Sequence, residues 1–282
     1  MAYAAAQAPF RAEMELCKDL QLNPDQTLSS LSRPNSLPGQ PSIPLAKEKV
    51  LPFLKAEFTT PTLDQISPHF WLLATADHSH ISSLHKQIVR GRKIVISEDP
   101  EMHLVWINNR VFIKPLPEYL VSKAFWEHYF TPDAYDNLDP SRLEAYKAAL
   151  GYLRTWLFLV SYLSDWRIAL DSHLVPDNID FGDFLALLSD LTNITDEQVS
   201  PRYRYGELRL ARLNFWVKIW LHQPYFRKVA WQYSDYFSMY YAPLLFIFGI
   251  LSVTLSAFDL GTSNEESWKA MKVAAARPGL YG

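Results

Sequence analysis

Residues 236–258 run for 23 positions without a single charge, bounded by Asp235 and Asp259. All are apolar except Ser238, Pro243, Gly249, Ser252, Thr254 and Ser256. At 1.5 Å rise per residue, a helix of this length covers about 34 Å against a hydrocarbon core of about 30 Å. Trp231, Tyr233, Tyr236, Tyr240 and Tyr241 crowd the front edge of the run, as rings seated at headgroup level do. Pro243 falls near the first turn, where a missing N–H costs little, and membrane helices tolerate Pro and Gly. The run predicts one C-terminal transmembrane helix; the competing reading is a helix buried in a large soluble core.

The remaining chain is long enough for one large or two small domains with a real core. A net charge of −3 gives no global signal for nucleic acid or for an acidic substrate. With 49% hydrophobic and 14% aromatic residues, the chain is too apolar for general disorder. Only 9 Gly against 19 Pro argues against Gly-rich phosphate loops and for Pro-punctuated helices. The single cysteine, Cys17, excludes an intramolecular disulfide and a Cys-based zinc cluster, and suits a reducing compartment. The N-terminus lacks a basic n-region and a long apolar core, with Pro9 and Arg11 interrupting it. The expectation is therefore a single-pass protein, in an endomembrane by preference, whose bulk faces the cytosol and whose apolar run is the targeting signal.

Read in order, residues 1–46 look like a disordered, Pro-rich tail, since residues 24–44 are mostly Pro, Ser, Asn and Gly. Residues 47–117 read as a small α+β region, with helical stretches at 63–76 and 81–90. In it, residues 102–107 and 110–114 flank Asn108-Asn109, and Asn tolerates the positive φ of a hairpin turn. Residues 118–222 read as helical, with one helix over 118–130 and another opening at Asp139-Pro140-Ser141. Leu143, Tyr146, Leu150, Leu153, Leu157 and Val160 give that second helix an apolar seam, read as a core stripe. A further helix is expected over 181–191. Residues 223–235 form a juxtamembrane segment and residues 259–282 a short tail of mixed charge. The fold class is mainly α with a small β-hairpin element and a single C-terminal transmembrane helix.

Residues 205–221 carry two apolar stripes on a helical wheel, Leu210, Leu213, Val217 and Leu221 against Leu208, Phe215 and Ile219. A helix apolar on two sides needs two surfaces to bury against. One is the domain core; the other is either more protein or the bilayer interface. The predicted membrane-interface residues are Arg209, Arg212, Trp216, Trp220, Arg227, Lys228, Trp231, Tyr240 and Tyr241. Arg202, Arg204, Arg209 and Arg212 are interleaved with Tyr203 and Tyr205, but closeness to the apolar run favours lipid or intraprotein pairing over nucleic acid.

Four blocks carry a resemblance: residues 94–100 (IVISEDP), 103–116 (HLVWINNRVFIKPL), 200–214 (SPRYRYGELRLARLN), and Asp235-Tyr236-Phe237 entering the apolar run. Over residues 50–260 or so the chain resembles a family of uncharacterised fungal membrane proteins, a domain of unknown function. The resemblance implies a membrane protein and transfers no catalytic residue. It also implies a second apolar segment soon after the first, so this chain is either shortened or simpler in topology.

Other chemistry is thin. Asp77-His78-Ser79-His80, with His85 nearby, is the densest set of metal-ligand types, but its spacing matches no zinc signature. Ser83 and Lys86 formally make S-x-x-K without its companion motifs. Asp133, Asp136 and Asp139 read as a solvated acidic turn. No cofactor is expected. The expected function is a membrane-anchored scaffold or interaction protein, its partners the bilayer and a protein. The alternative is a membrane-tethered enzyme acting on an apolar small molecule, with Asp77, His78, His80 and Asp165 as the residues to test.

Overall fold

The computed structural model describes residues 8–25, 27–33, 35–72, 77–130, 140–227 and 233–275. They fall into two compact units, Met1–Arg227 and Lys228–Gly282.

The N-terminal stretch differs from the expected tail. Strands β1 (Leu20–Leu22) and β2 (Leu28–Ser30) pair antiparallel, as do β3 (Ser36–Leu37) and β4 (Gln40–Pro44). Tertiary contacts account for this order. The amides of Leu16 and Cys17 donate to the carbonyl of Val121, the Glu15 carboxylate accepts from Ser122 Oγ and the Lys123 amide, and Leu20, Leu28, Leu37 and Leu45 are buried. Gly39, at φ 75°, makes the β3–β4 turn that an L side chain would strain.

Helices α1 (Lys47–Phe58) and α2 (Pro61–Ile66) lead into a 3₁₀ turn, Ser67–Leu72, where a longer helix over 63–76 is expected; residues 73–76 lie outside the described set. Helix α3 (Leu84–Val89) is shorter than the 81–90 stretch, and strand β5 (Lys93–Ile96) follows. Strands β6 (Val105–Ile107) and β7 (Arg110–Ile113) form the predicted hairpin, with Asn108 at φ 50° in its turn. Lys114 follows β7 fully buried, its Nζ 2.7 Å from Glu57 Oε1 and 3.2 Å from Glu98 Oε2. The single helix expected over 118–130 is a 3₁₀ turn (Glu118–Val121) and α4 (Lys123–Tyr129), separated by extended backbone at Ser122.

Helix α5 (Pro140–Leu159) is the axis of the first unit. Proline at its first position is preset for helical φ. Twelve of its twenty residues are buried, far more than one seam, so the helix is surrounded and not laid against the core. Ala145, Ala148, Ala149 and Gly151 keep it thin, while Tyr152, Leu153, Trp156 and Leu159 fill the space around it. Of the predicted stripe, Leu150, Leu153 and Val160 are buried and Leu143, Tyr146 and Leu157 are half-buried. Helices α6 (Leu163–Asp171) and α7 (Phe181–Leu191) follow, α7 capped by the Asp180 carboxylate on the Gly182 amide.

Strand β8 (Leu208–Arg209) completes a four-stranded sheet of order β5-β7-β6-β8, pairing parallel to β6 with Trp106 opposite Arg209. Helix α8 (Leu210–Trp220) starts directly from it.

The second unit is one helix, α9 (Tyr233–Ala275), of 43 residues. It takes in the predicted span and continues through residues 259–275, where a tail is expected. At 1.5 Å per residue it runs about 65 Å, twice the thickness of a hydrocarbon core. Its stretch Pro243–Val273 is long and apolar enough to cross a membrane; over 18 residues of it the mean hydropathy is 2.0 and none is buried.

Candidate membrane-interface site

Two glycines let residues 200–209 lie against the core. A Cβ on Gly151 would sit 2.6 Å from the ring of Tyr203, and one on Gly206 would overlap the His80 carbonyl. The Glu207 amide donates to that same carbonyl at 3.1 Å. Between them Arg202 is fully buried. Its guanidinium donates to the carbonyls of Tyr205 (2.9 Å), Gly206 (3.0 Å) and His103 (3.1 Å), and its amide donates to Asp64 Oδ1. Burial lowers the Arg202 pKa to about 10, so the buried cation remains protonated at neutral pH.

Glu207 ties this segment to the 82–92 region. Its Oε1 accepts from the Ser82 amide and Gln87 Nε2, both at 2.7 Å, and its Oε2 from Arg92 Nη1 at 2.6 Å. Burial alone would raise this carboxyl, but the Ser82 and Arg92 donors outweigh it and hold the pKa below its ordinary value. The Arg92 guanidinium lies 4.1 Å from the Trp106 ring centroid and that of exposed Arg209 lies 5.1 Å from it, two cation–π contacts on one indole.

With its start fixed in the sheet, α8 has a set rotation. Leu210, Leu213 and Val217 turn inward. The second stripe divides: Leu208 is buried in β8, while Phe215 is 59% exposed and Ile219 45%. Beside them Trp216 stacks on Trp220 (centroids 4.5 Å apart, planes at 14°), and Trp220 stacks on His69 at 4.3 Å. His69 brings in the 3₁₀ turn Ser67–Leu72, in which Trp71 (65%) and Leu72 are also exposed. Sequence reasoning missed that turn, because its aromatic residues His69, Phe70 and Trp71 belong to no regular apolar pattern. Arg212 and Lys218 are exposed on α8, and neither α8 nor the turn contains an acidic residue.

Arg227 is placed differently from the expectation of a lipid contact. It lies 2.7 Å from Asp99 Oδ2 and 2.6 Å from Glu101 Oε2, while Asn214 Oδ1 accepts from the Phe226 amide and fastens the chain back onto α8. Two carboxylates therefore hold its charge within the first unit. Lys228 and Trp231 lie outside the described residues; Tyr240 and Tyr241 are exposed on α9.

The predicted polar candidates do not converge. His78 Nδ1 is 3.1 Å from Asp196, which also holds Arg154 at 2.8 Å. Asp77 accepts from the amide and hydroxyl of Ser79, which holds its pKa below the ordinary value. His80 contributes its carbonyl to Glu207. Buried Asp165 meets His85 instead, its Oδ1 2.7 Å from both His85 Nδ1 and the His85 amide, while Oδ2 accepts from the amides of Ser161 and Tyr162. Ser83 Oγ is 3.1 Å from the same Nδ1. A serine activated by histidine needs the other ring nitrogen, so these three side chains are not a nucleophilic triad. Among the described residues no group of three His, Cys, Asp or Glu is placed to hold a metal ion; Asp133, Asp136 and Asp139 lie outside them.

A family model described as a family of unknown function (DUF6601) matches residues 50–280. The chain belongs to this family. The matched family region takes in the Arg202–Glu207 segment, the 3₁₀ turn with Trp71, and nearly all of the second unit, and leaves β1–β4 outside. No curated protein and no solved structure matches the chain.

Proposed function

We propose that this chain is a membrane-anchored interaction protein, held in an internal membrane by α9, with the first unit in the cytosol. The observation that carries the reading is the apolar stretch of α9, Pro243–Val273, of which 18 consecutive residues are wholly unburied. A core helix of a soluble protein can be as apolar but is covered by its own fold. Exposed apolar area on this scale is what a lipid phase removes from water. Tyr240 and Tyr241, with Trp231, sit near the front edge of the apolar run, as an interfacial belt does. Arg209, Arg212, Trp216 and Trp220 are proposed to face the same bilayer. Buried, unpaired Cys17 is consistent with a reducing compartment.

Carbonate extraction of membranes from cells expressing the tagged chain tests the anchor. Retention in the pellet is the expected result, and release into the supernatant refutes it. Orientation has its own reporter in Asn193-Ile194-Thr195, an N-glycosylation acceptor whose Asn193 is exposed. The expected outcome is no mobility change on endoglycosidase treatment; a glycan on Asn193 places the first unit in the lumen.

A tethered enzyme is the second reading, favoured by the half-exposed His85, whose Nδ1 is engaged by Asp165 so that Nε2 is left to act as a base. His85→Gln tests it: full rescue of a deletion phenotype by this variant removes its best residue.

A further inference from the structure

We infer that the first unit has its own lipid-docking face, built from α8 and the 3₁₀ turn Ser67–Leu72, and that its ligand is an anionic bilayer surface. The inference rests on the membrane reading above and extends it to a segment more than a hundred residues away in sequence from α8.

Four observations converge. The first is the contiguous ring series Phe215–Trp216–Trp220–His69, with centroid spacings of 5.2, 4.5 and 4.3 Å, which joins α8 to the turn as one aromatic surface. Second, Phe215 of that series and, within three residues of its members in sequence, Trp71, Leu72 and Ile219 stand exposed, although the interior face of α8 is fully packed. A solitary exposed apolar residue needs no explanation, but a patch of large ones shared by two elements marks a binding surface. Third, the charge on the two elements is of one sign: Arg212 and Lys218 stand exposed among the apolar side chains, with Arg209 exposed at the start of the helix and no carboxylate on either element. Aromatic and aliphatic groups rimmed by Lys and Arg match the headgroup boundary of an anionic leaflet. A protein partner could bury the apolar groups, yet only a partner surface of uniformly negative charge would also suit the cations. Fourth, twelve residues lie between Trp220 and Tyr233, so the chain holds α8 within roughly 45 Å of the start of the apolar helix by contour length alone. A face tethered so closely to a bilayer meets lipid at high effective concentration.

The geometry also divides labour on the face. Trp216 and Trp220 are only half exposed and stack on one another, whereas Trp71, Phe215 and Ile219 are the more exposed of the apolar side chains. The more exposed set is the one that enters the interface, and the cations stay at phosphate level by extending their aliphatic stems.

The test uses the full chain reconstituted in vesicles, with Cys17 replaced by alanine and single cysteines placed in turn at Trp71, Ile219, Asp183 and Leu251. Each carries an environment-sensitive fluorophore. Asp183 is an exposed position on α7, away from the face, and Leu251 reports on the span. In phosphatidylcholine mixed with phosphatidylserine, labels at 71 and 219 are expected to shift to the blue and to lose quenching by iodide, like the label at 251 and unlike that at 183. In phosphatidylcholine alone, or in Arg212→Glu/Lys218→Glu protein, the protection at 71 and 219 is expected to fall while that at 251 persists. If 71 and 219 quench as readily as 183 in both lipids while 251 is shielded, the docking face is refuted and the anchor stands. If 251 quenches as well, the anchor itself fails. Shielding of 71 and 219 that persists unchanged in phosphatidylcholine alone and in the Arg212→Glu/Lys218→Glu protein would assign the face to protein contact and overturn the lipid assignment. Unchanged thermal unfolding of each labelled protein separates these outcomes from misfolding.

Discussion

Gly206 and His80 approach so closely that the glycine has no room for a side chain: a Cβ there would overlap the His80 carbonyl oxygen, which already accepts a hydrogen bond from the Glu207 amide. Both colliding groups are backbone, so no rotamer change relieves the overlap. Gly206→Ala is expected to lower stability by about 1–3 kcal/mol, the usual cost of overpacking. Urea unfolding of the variant against the parent measures it, and an unchanged midpoint would show that the crossing is looser than described.

Gly151 inverts a familiar rule. Glycine in the middle of a helix is normally worse than alanine by about 1 kcal/mol. Here the alanine methyl would lie 2.6 Å from the Tyr203 ring, so Gly151→Ala is expected to destabilise. Combined with Tyr203→Gly, which removes the ring and also the Tyr203 Cβ that would lie at the same 2.6 Å, the same change should become favourable relative to Tyr203→Gly alone. A double-mutant cycle by thermal unfolding reads the coupling, and additivity of the two changes would contradict the packing.

His103 predicts an acid-sensitive fold. Its Nδ1 accepts from the Lys114 amide at 3.1 Å, and its Nε2 lies 3.0 Å from Thr155 Oγ1, whose own hydrogen is directed to the Tyr152 carbonyl. The ring is therefore neutral with its proton on Nε2. Burial, then the charges of Arg202 and Lys114, hold its pKa well below the ordinary value. The unfolded chain takes up a proton near pH 6.5 and the folded chain does not, so stability falls as pH drops below that value. The expected slope is up to about 1.4 kcal/mol per pH unit, until the depressed folded pKa is reached. Chemical denaturation between pH 7 and pH 5, taken with ring-proton shifts that do not titrate for His103, would check both halves of the claim.

Arg227→Ala should loosen the end of the first unit. Among the described residues, the change leaves the nearly buried Glu101 carboxylate with only the Thr62 amide as partner, and deprives Asp99 of its cation. Because the Arg227 side chain is itself about two-fifths exposed, solvent screening moderates the loss to about 1–2 kcal/mol. Hydrogen exchange is the sharper readout. The amides of Phe226 and Glu101 should lose protection while those of α5 keep theirs.

What could be read from the sequence was what local chemistry decides. Asn108-Asn109 declares its hairpin because positive φ is a property of the residue at the turn, and Asp180 declares the start of α7 because a carboxylate caps whatever helix follows it. The four N-terminal strands were hidden because Pro, Ser and Asn dominate the stretch, and its order comes from Val121, Ser122 and Lys123 a hundred residues on. Strand β8 was equally unreadable: two residues, Leu208 and Arg209, pair with β6 only after Gly206 and Arg202 have brought them there. For the candidate site, the wheel over residues 205–221 found two apolar faces and their opposition, and exposure then separated Phe215 and Ile219 from the packed set. Periodicity reported nothing about Trp71, whose place on that surface depends on the His69–Trp220 stack.

Arg227 has a mechanical consequence. It is the last residue of the first unit and is gripped by two carboxylates, one on each side of Pro100. Any pull travelling up the chain from α9 arrives there first. The load then passes through Glu101 to the Thr62 amide at the head of α2, and through the Phe226 amide to Asn214 on α8. Drag on the helix would thus be divided between an ionic latch and the middle of α8, the helix that carries the aromatic face.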